Sequence, residues 1–245
     1  MENFSKSFPV AMAILGGCII ITGVIAGSYF YKVKQLTDVI SVTGSADRAI
    51  RSDIIKWRFS FSRTAVESQL RTGNALLKKD FEAVKKYLAD NSISAEAITI
   101  SSVTVNQNYE YKDPNSPDRE KTYTLSQEVK VESGEVDRIT EIAKNSGVLV
   151  DEGVFLNNFP LEYYYSGIAN LKVEMLAEAT KNAKERASQI AQSTGAQLGN
   201  LRSAQMGVTQ ITPVNSTEIS DYGYYDTSSI DKQITAVVRA TFGLK

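Results

Sequence analysis

The sequence predicts an α+β fold: two β-α-β-β-like units of mainly antiparallel sheet, with long helices on one side, preceded by one transmembrane helix. Three features of the sequence lead to this expectation: strand-like alternation, long helical stripes and an uncharged N-terminal run. The alternation is clearest in residues 53–64, where Ile55, Trp57, Phe59 and Phe61 share one face. Separate helices and antiparallel strands in one chain are typical of the α+β class.

The first predicted unit contains strand 53–64, helix 66–91 and hairpin 97–132. Its helix is predicted by a stripe of apolar residues with helical spacing, namely Val66, Leu70, Leu77, Phe81, Val84 and Leu88. Pro114 and Pro117 mark the polar loop of the hairpin. An earlier strand, residues 39–46, is expected to turn at Gly44.

The second predicted unit contains strand 148–159, helix 167–194 and hairpin 200–243, and helix 134–146 joins the two units. Its long helix carries small residues four apart, at Ala179, Ala183, Ala187 and Ala191. A smooth ridge of this kind lets another element approach closely. We expect Ala179, Ala183 and Ala187 to contribute to an oligomer interface.

The N-terminal run predicts a membrane anchor, because residues 7–31 carry no charge. A helix of about 20 residues crosses the hydrocarbon core, whereas the apolar core of a signal peptide has about 7–15 residues. Aromatic residues and lysines at 29–34 suit the membrane interface. We therefore divide the chain into a tail (1–8), a transmembrane anchor (9–31), a juxtamembrane linker (32–38) and an α+β domain (39–245).

Two other interpretations of this run stay open: a cleaved signal peptide, and a lipoprotein signal in which Cys18 is lipidated. Isoleucines 19–21 follow the cysteine where a lipoprotein normally has a polar tether. Lysines on both sides leave the orientation undecided by charge. The very short tail favours a signal-anchor with the N-terminus inside and the C-terminal domain outside the cytoplasmic membrane, in the periplasm or at the cell surface.

Small residues four apart also occur within the anchor. Gly16, Gly17, Gly23 and Gly27 are candidate positions for helix packing in the membrane, because small residues let transmembrane helices approach closely. The alternative is that glycine is simply common in membrane helices.

The composition argues against several classes of activity. The net charge is −1 and the chain has no histidine, which excludes histidine-based acid–base chemistry and histidine metal sites. No basic tract is present to bind nucleic acid. No nucleophile elbow, phosphate loop or metal-ligand spacing is found. We expect no enzymatic activity, no catalytic residues, no cofactor and no metal site.

Two tyrosine clusters are candidate contact surfaces. Residues 163–165 precede the second long helix and form a candidate ligand surface, made of Tyr163, Tyr164 and Tyr165. The alternative is a packed strand-to-helix corner. Tyr222, Tyr224 and Tyr225 lie in a long polar loop and form a candidate oligomer interface, since tyrosine is enriched at interfaces. The alternative there is a flexible surface loop.

Residues 170–205 contain the run EATKNAKERASQIAQSTG, followed by Leu198-Gly199. This helix resembles that of the bacterial SIMPL-domain proteins, and the opening strand pair from Val39 and the closing strand to Leu244 resemble theirs. Ser45-Ala46 stand where many relatives have a further glycine. The resemblance implies an α+β fold, export or membrane attachment, large homo-oligomeric rings or hollow assemblies in some members, and a loose link to envelope stress.

We therefore expect a non-enzymatic, membrane-anchored scaffold in the cell envelope that self-assembles into a large homo-oligomeric ring or hollow assembly. The alternative is an envelope binding module for a peptide, lipid or cell-wall polymer.

Overall fold

The computed structural model describes residues 2–109, 120–218 and 220–245, and the side chains from 12–30 and from 38 onward within these ranges. The predicted loop with Pro114 and Pro117 lies outside the described residues. The chain divides into two compact units. Unit 1 comprises residues 1–47, 172–209 and 235–245, and unit 2 comprises residues 48–171 and 210–234.

Helices and antiparallel strands are both abundant, which confirms the α+β class. The helices are α1 (Glu2–Thr37), α2 (Leu70–Asp90), α3 (Val136–Lys144), α4 (Val148–Asp151) and α5 (Ile168–Ser193). The strands are β1 (Val39–Arg51), β2 (Ile54–Val66), β3 (Ile98–Ile100), β4 (Thr104–Asn108), β5 (Thr122–Ser133), β6 (Leu156–Asn158), β7 (Glu162–Tyr164), β8 (Leu198–Met206), β9 (Gln210–Pro213), β10 (Tyr224–Tyr225) and β11 (Asp231–Leu244).

Unit 2 is built on the long antiparallel pair β2–β5, which runs from Ile55 opposite Ser133 to Val66 opposite Thr122. The strand order of this sheet is β3-β5-β2-β6, with β4 also beside β5 and β7 beside β2. The predicted alternation is confirmed, since the four apolar side chains of β2 named above are fully buried. They form one core with apolar residues of α2 and α3, and each contributes about 1.5–3 kcal/mol through burial.

Unit 1 packs α5 against the strands β1 and β11. Its core contains Val42 of β1, the α5 alanines and three residues of β11. The close approach depends on Gly44, because a Cβ built there would lie 2.2 Å from the Ala179 carbonyl oxygen. The predicted turn at Gly44 is therefore wrong: β1 continues to Arg51, and the glycine admits the helix.

Residues 148–159 differ most from the prediction. Residues 148–151 are helical, and only Leu156–Asn158 form a strand. That strand pairs with β2, in the same sheet as the first predicted unit. Of the predicted hairpin 200–243, β8 and β11 pair in the other sheet, whose order is β1-β11-β9-β10 with β8 also beside β11. The strands of the second predicted unit (residues 148–243) are thus divided between the two sheets and do not follow the predicted β-α-β-β order.

The elements of the first predicted unit (residues 53–132) lie closer to their predicted positions. Helix α2 begins at Leu70, later than predicted, because β2 extends to Val66 and residues 67–69 form a 3₁₀ turn. The predicted hairpin 97–132 contains two short strands, β3 and β4, that both pair with β5. At the N-terminus, α1 continues to Thr37, so most of the predicted linker 32–38 is helical.

Candidate functional site

The N-terminal helix presents an apolar surface that no other part of the described chain covers. Residues Met12–Phe30 have a mean hydropathy of 1.9 over 19 residues, and none of this window is buried within the protein. Large apolar side chains such as Ile14, Ile20 and Val24 are exposed. The helix is therefore long and apolar enough to span a membrane or to act as a signal-anchor.

The glycines of α1 leave a smooth, open surface. A Cβ built at Gly16, Gly17, Gly23 or Gly27 would meet no atom of the described chain within 4 Å. The hydroxyls of Thr22 and Ser28 donate to the carbonyls of Cys18 and Ile25, at 2.7 and 2.8 Å. Because these polar groups are satisfied inside the helix, they do not oppose burial in lipid.

The second candidate site lies on the sheet of unit 2, on the face opposite the apolar core. We call it the tyrosine face and define it as Lys56, Arg58, Phe159, Tyr164 and Tyr225. The Tyr164 ring centroid lies 6.2 Å from that of Tyr225 and 4.7 Å from the Lys56 ammonium. Arg58 lies over the Phe159 ring at 5.0 Å. Both distances between cation and ring are within the range of a cation–π contact.

Carboxylates balance the cations of the tyrosine face. Lys56 pairs with Glu132 and Arg58 with Glu162, each at 3.6 Å. The Tyr164 hydroxyl donates to Glu162 at 2.8 Å, and this hydrogen bond raises the pKa of Tyr164. Tyr164 therefore stays a neutral hydrogen-bond donor at physiological pH. The face offers aromatic rings and hydrogen-bonding groups without a strong net charge.

The three tyrosines at 163–165 have different environments. Tyr163 is buried in the core of unit 2, where its hydroxyl lies 3.2 Å from the Thr140 hydroxyl. It is therefore a core residue, and its place in the predicted ligand surface is wrong. Tyr165 is half-buried and packs beside Gly167. Of the three, Tyr164 presents its ring on the tyrosine face.

The loop tyrosines are accessible. Tyr222 is 98% exposed, and Tyr224 and Tyr225 form β10, which pairs in parallel with β9. Their availability as an oligomer interface stays a prediction.

A buried polar cluster, which the sequence reasoning missed, follows these tyrosines. Asp226 accepts hydrogen bonds from the backbone and hydroxyls of Ser228 and Ser229. Its Oδ2 lies 3.4 Å from Nζ of the fully buried Lys232. Burial opposes ionisation of Asp226, but the serine hydrogen bonds and the Lys232 charge lower its pKa to about 2. The run Asp226-x-Ser228-Ser229 was the available signal, since aspartate and serine favour such turns.

The family model for SIMPL, described as a protein of unknown function (DUF541), matches residues 40–242. The chain belongs to the SIMPL family. No curated protein matches it. The match spans both compact units of the SIMPL domain and leaves α1 outside.

The alanine ridge of the SIMPL domain has an intrachain role. Ala179, Ala183 and Ala187 are fully buried and pack against Val42, Val238 and Ala240 of their own unit. Asn182 Oδ1 accepts from the Ser45 backbone at 3.2 Å, and Arg186 donates to the Thr43 carbonyl at 3.1 Å, on the same interface. The predicted oligomer interface at these alanines is therefore wrong, because their surface is already used within the chain.

Within the part of the SIMPL protein that the structure describes, no group of three or more histidine, cysteine, aspartate or glutamate side chains could hold a metal ion. The acidic side chains discussed above pair with lysine and arginine side chains and with hydroxyls of the same chain. Asp80 is a further example: its two carboxylate oxygens accept hydrogen bonds from Nε and Nη2 of Arg63, each at 2.6 Å. This ion pair connects β2 to α2.

Proposed function

We propose that this SIMPL protein is a non-enzymatic, membrane-anchored scaffold whose C-terminal domain lies outside the cytoplasmic membrane. Its copies assemble into a large homo-oligomeric ring or hollow particle. A role in envelope stress is part of this proposal and rests on the family resemblance alone.

One observation carries the proposal: the apolar window of α1 has no cover within the described chain. Nineteen residues of exposed apolar helix would drive aggregation in water, whereas a bilayer buries them. The open glycine surface supports contact between anchors, because close helix approach in lipid relies on small residues. Neighbouring anchors would concentrate the domains in one plane and so favour their assembly.

The orientation is tested by cysteine labelling, since Cys18 is the only cysteine. In a Cys18→Ser background, a cysteine placed at the exposed Thr217 should react with a membrane-impermeant maleimide in intact cells. The background protein without an added cysteine is the matched control. Labelling that requires cell lysis would overturn the proposed orientation.

The assembly is tested by measuring particle mass. Full-length protein in a mild detergent should give a particle of many subunits in mass photometry and electron microscopy. Tyr222→Ser should reduce the subunit number if the loop tyrosines form the interface, whereas Tyr109→Ser, at another exposed tyrosine, should not. A monomer at nanomolar and at micromolar concentration would refute self-assembly.

The tyrosine face favours a second candidate function, an envelope binding module. Rings of Tyr164 and Tyr225 beside the Lys56 ammonium can stack on a sugar or a peptide and hydrogen-bond it. A pull-down with purified cell-wall polymer tests this alternative. Tyr164→Ser should reduce binding and Tyr109→Ser should not, and equal retention of both variants would exclude this surface.

A further inference from the structure

Unit 2 contains an apolar groove that neither proposed function uses. It has a volume of about 290 Å³ and lies between α2 and the strands β3 and β5. Its floor is buried and aliphatic, made of Leu88, Ile93 and Val129. Phe81 and Ile98 form half-buried walls. A concave apolar site of this size lies just below the range of about 300–1,000 Å³ for pockets that hold drug-sized ligands, so it suits a slender ligand.

Among the described residues that line the groove, Lys85 is the only charged one. Its ammonium lies 5.1 Å from the Phe81 ring centroid, against the groove wall. It also pairs with Glu82 at 2.9 Å, but both side chains of this ion pair are largely exposed. Such an exposed pair is worth at most about 1 kcal/mol, so an incoming anion can replace the glutamate at little cost.

We propose that this groove binds the alkyl chain of an anionic single-chain amphiphile, with the carboxylate or phosphate head group at Lys85. With a volume of about 290 Å³, the groove has room for a single alkyl chain. The combination of an aliphatic floor with one cation at the rim matches the two ends of such a molecule.

The dimensions favour this ligand over a protein partner. A stable protein interface needs about 20–30 residues on each side, whereas nine residues line this groove. The site also differs from the tyrosine face, which presents rings on the opposite side of the sheet and has no aliphatic floor. Binding at the groove requires neither self-assembly nor polymer capture.

Photolabelling of the full-length protein in lipid nanodiscs tests the proposal. The probe is decanoate that carries a diazirine, and labelled peptides are located by mass spectrometry. We expect labelling of residues 85–100 in addition to α1, which reports simple partitioning into the bilayer. The ratio of groove labelling to α1 labelling is therefore the measured quantity.

Two variants separate specific binding from partitioning. Lys85→Glu should lower the ratio about tenfold, since it replaces one charged contact by repulsion. Lys86→Glu is the matched control, because Lys86 is exposed on the same helix but does not line the groove. Ala89→Trp, at an exposed position on the rim, should fill the groove and remove its labelling. If Ala89→Trp fails to fold, the two lysine variants decide the question.

Competition identifies the head group. Unlabelled decanoate or decyl phosphate should displace the probe at lower concentration than decyltrimethylammonium, which has the same tail and a cationic head. Preference for one of the two anions would show whether a carboxylate or a phosphate is recognised. Equal competition by the cationic amphiphile, or a ratio unchanged by Lys85→Glu, would overturn the proposal.

Discussion

Among the described glycines, Gly44 is the one at which an added methyl group would come closest to other atoms. In Gly44→Ala, the new Cβ would lie 2.2 Å from the Ala179 carbonyl oxygen and 2.4 Å from the Ala183 backbone nitrogen. Both obstacles are backbone atoms of α5, so no side-chain rotation relieves them. The helix has to move away from β1 by about 1 Å to restore ordinary contact distances.

The cost of this movement follows from the contacts at the interface. Overpacking costs about 1–3 kcal/mol, and a gap of 0.5–1 Å removes about a quarter to a half of each dispersion contact across it. The core of Val42, Val238 and the α5 alanines would lose contacts in this way. The hydrogen bonds of Asn182 and Arg186 to β1, each worth about 1 kcal/mol, would lengthen as well. We expect a total destabilisation of about 3–5 kcal/mol.

Hydrogen exchange of the full-length protein measures this effect where it occurs. Exchange should accelerate in α5 and much less in α2, which belongs to the other compact unit. Gly207→Ala is the matched control, because its Cβ would lie 3.4 Å from the Val237 carbonyl oxygen, an ordinary contact. A double variant, Gly44→Ala with Ala183→Gly, should not recover stability, since the backbone contacts remain. Recovery, or equal exchange in the Gly44 and Gly207 variants, would refute the reasoning.

Three further predictions concern unit 2 and are measured by urea unfolding, with the fluorescence of Trp57, the only tryptophan, as the probe. Arg63→Met should lower the free energy of unfolding by about 3 kcal/mol, because it leaves the buried Asp80 carboxylate without its bidentate partner. A decrease no larger than that caused by replacing an exposed arginine would contradict this. Tyr163→Phe should cost about 1 kcal/mol through its buried hydroxyl contact, and an unchanged midpoint would place that hydroxyl in water. The pKa of Asp226 is about 2 in the folded chain against 3.8 for the free group, so the folded state binds fewer protons and loses about 2 kcal/mol as the pH falls through this interval. Asp226→Asn should remove this part of the acid dependence, and an unaltered pH profile would contradict the assignment.

The sequence predicted those elements whose period is set by burial on one face. Strand β2 and helix α5 agree closely with the predictions because each buries a single regular stripe. Residues 148–150 were misassigned because only Leu149 is buried, with exposed valines on both sides. One buried residue between two exposed ones fits a strand and a short helix equally well. The turn at Gly44 failed for a different reason, since the partner that requires the glycine lies more than a hundred residues away in sequence.

The candidate surfaces were predicted by residue type, and type alone does not fix exposure. Tyr163 and Tyr164 are neighbours on one strand, so their side chains point to opposite faces. Tyr163 therefore enters the core, while Tyr164 joins the tyrosine face. The apolar groove was not predicted at all, because its lining comes from separated parts of the chain, residues 81–100 and Val129.

Two rows of small residues, one in α5 and one in α1, show how the same spacing leads to different partners. In α5, alanines four apart are covered by β1 and β11 of the same unit, and a glycine on β1 completes the contact. In α1, Gly23 and Gly27 have the same spacing, but no atom of the described chain comes within 4 Å of a Cβ placed there. A close-packing surface in lipid gains little from contact with mobile acyl chains, and it gains dispersion contacts from another helix. We propose that assembly begins at this open row of α1 within the membrane. Gly23→Leu, which removes the smooth surface while keeping the helix apolar, should then reduce the association of the anchors.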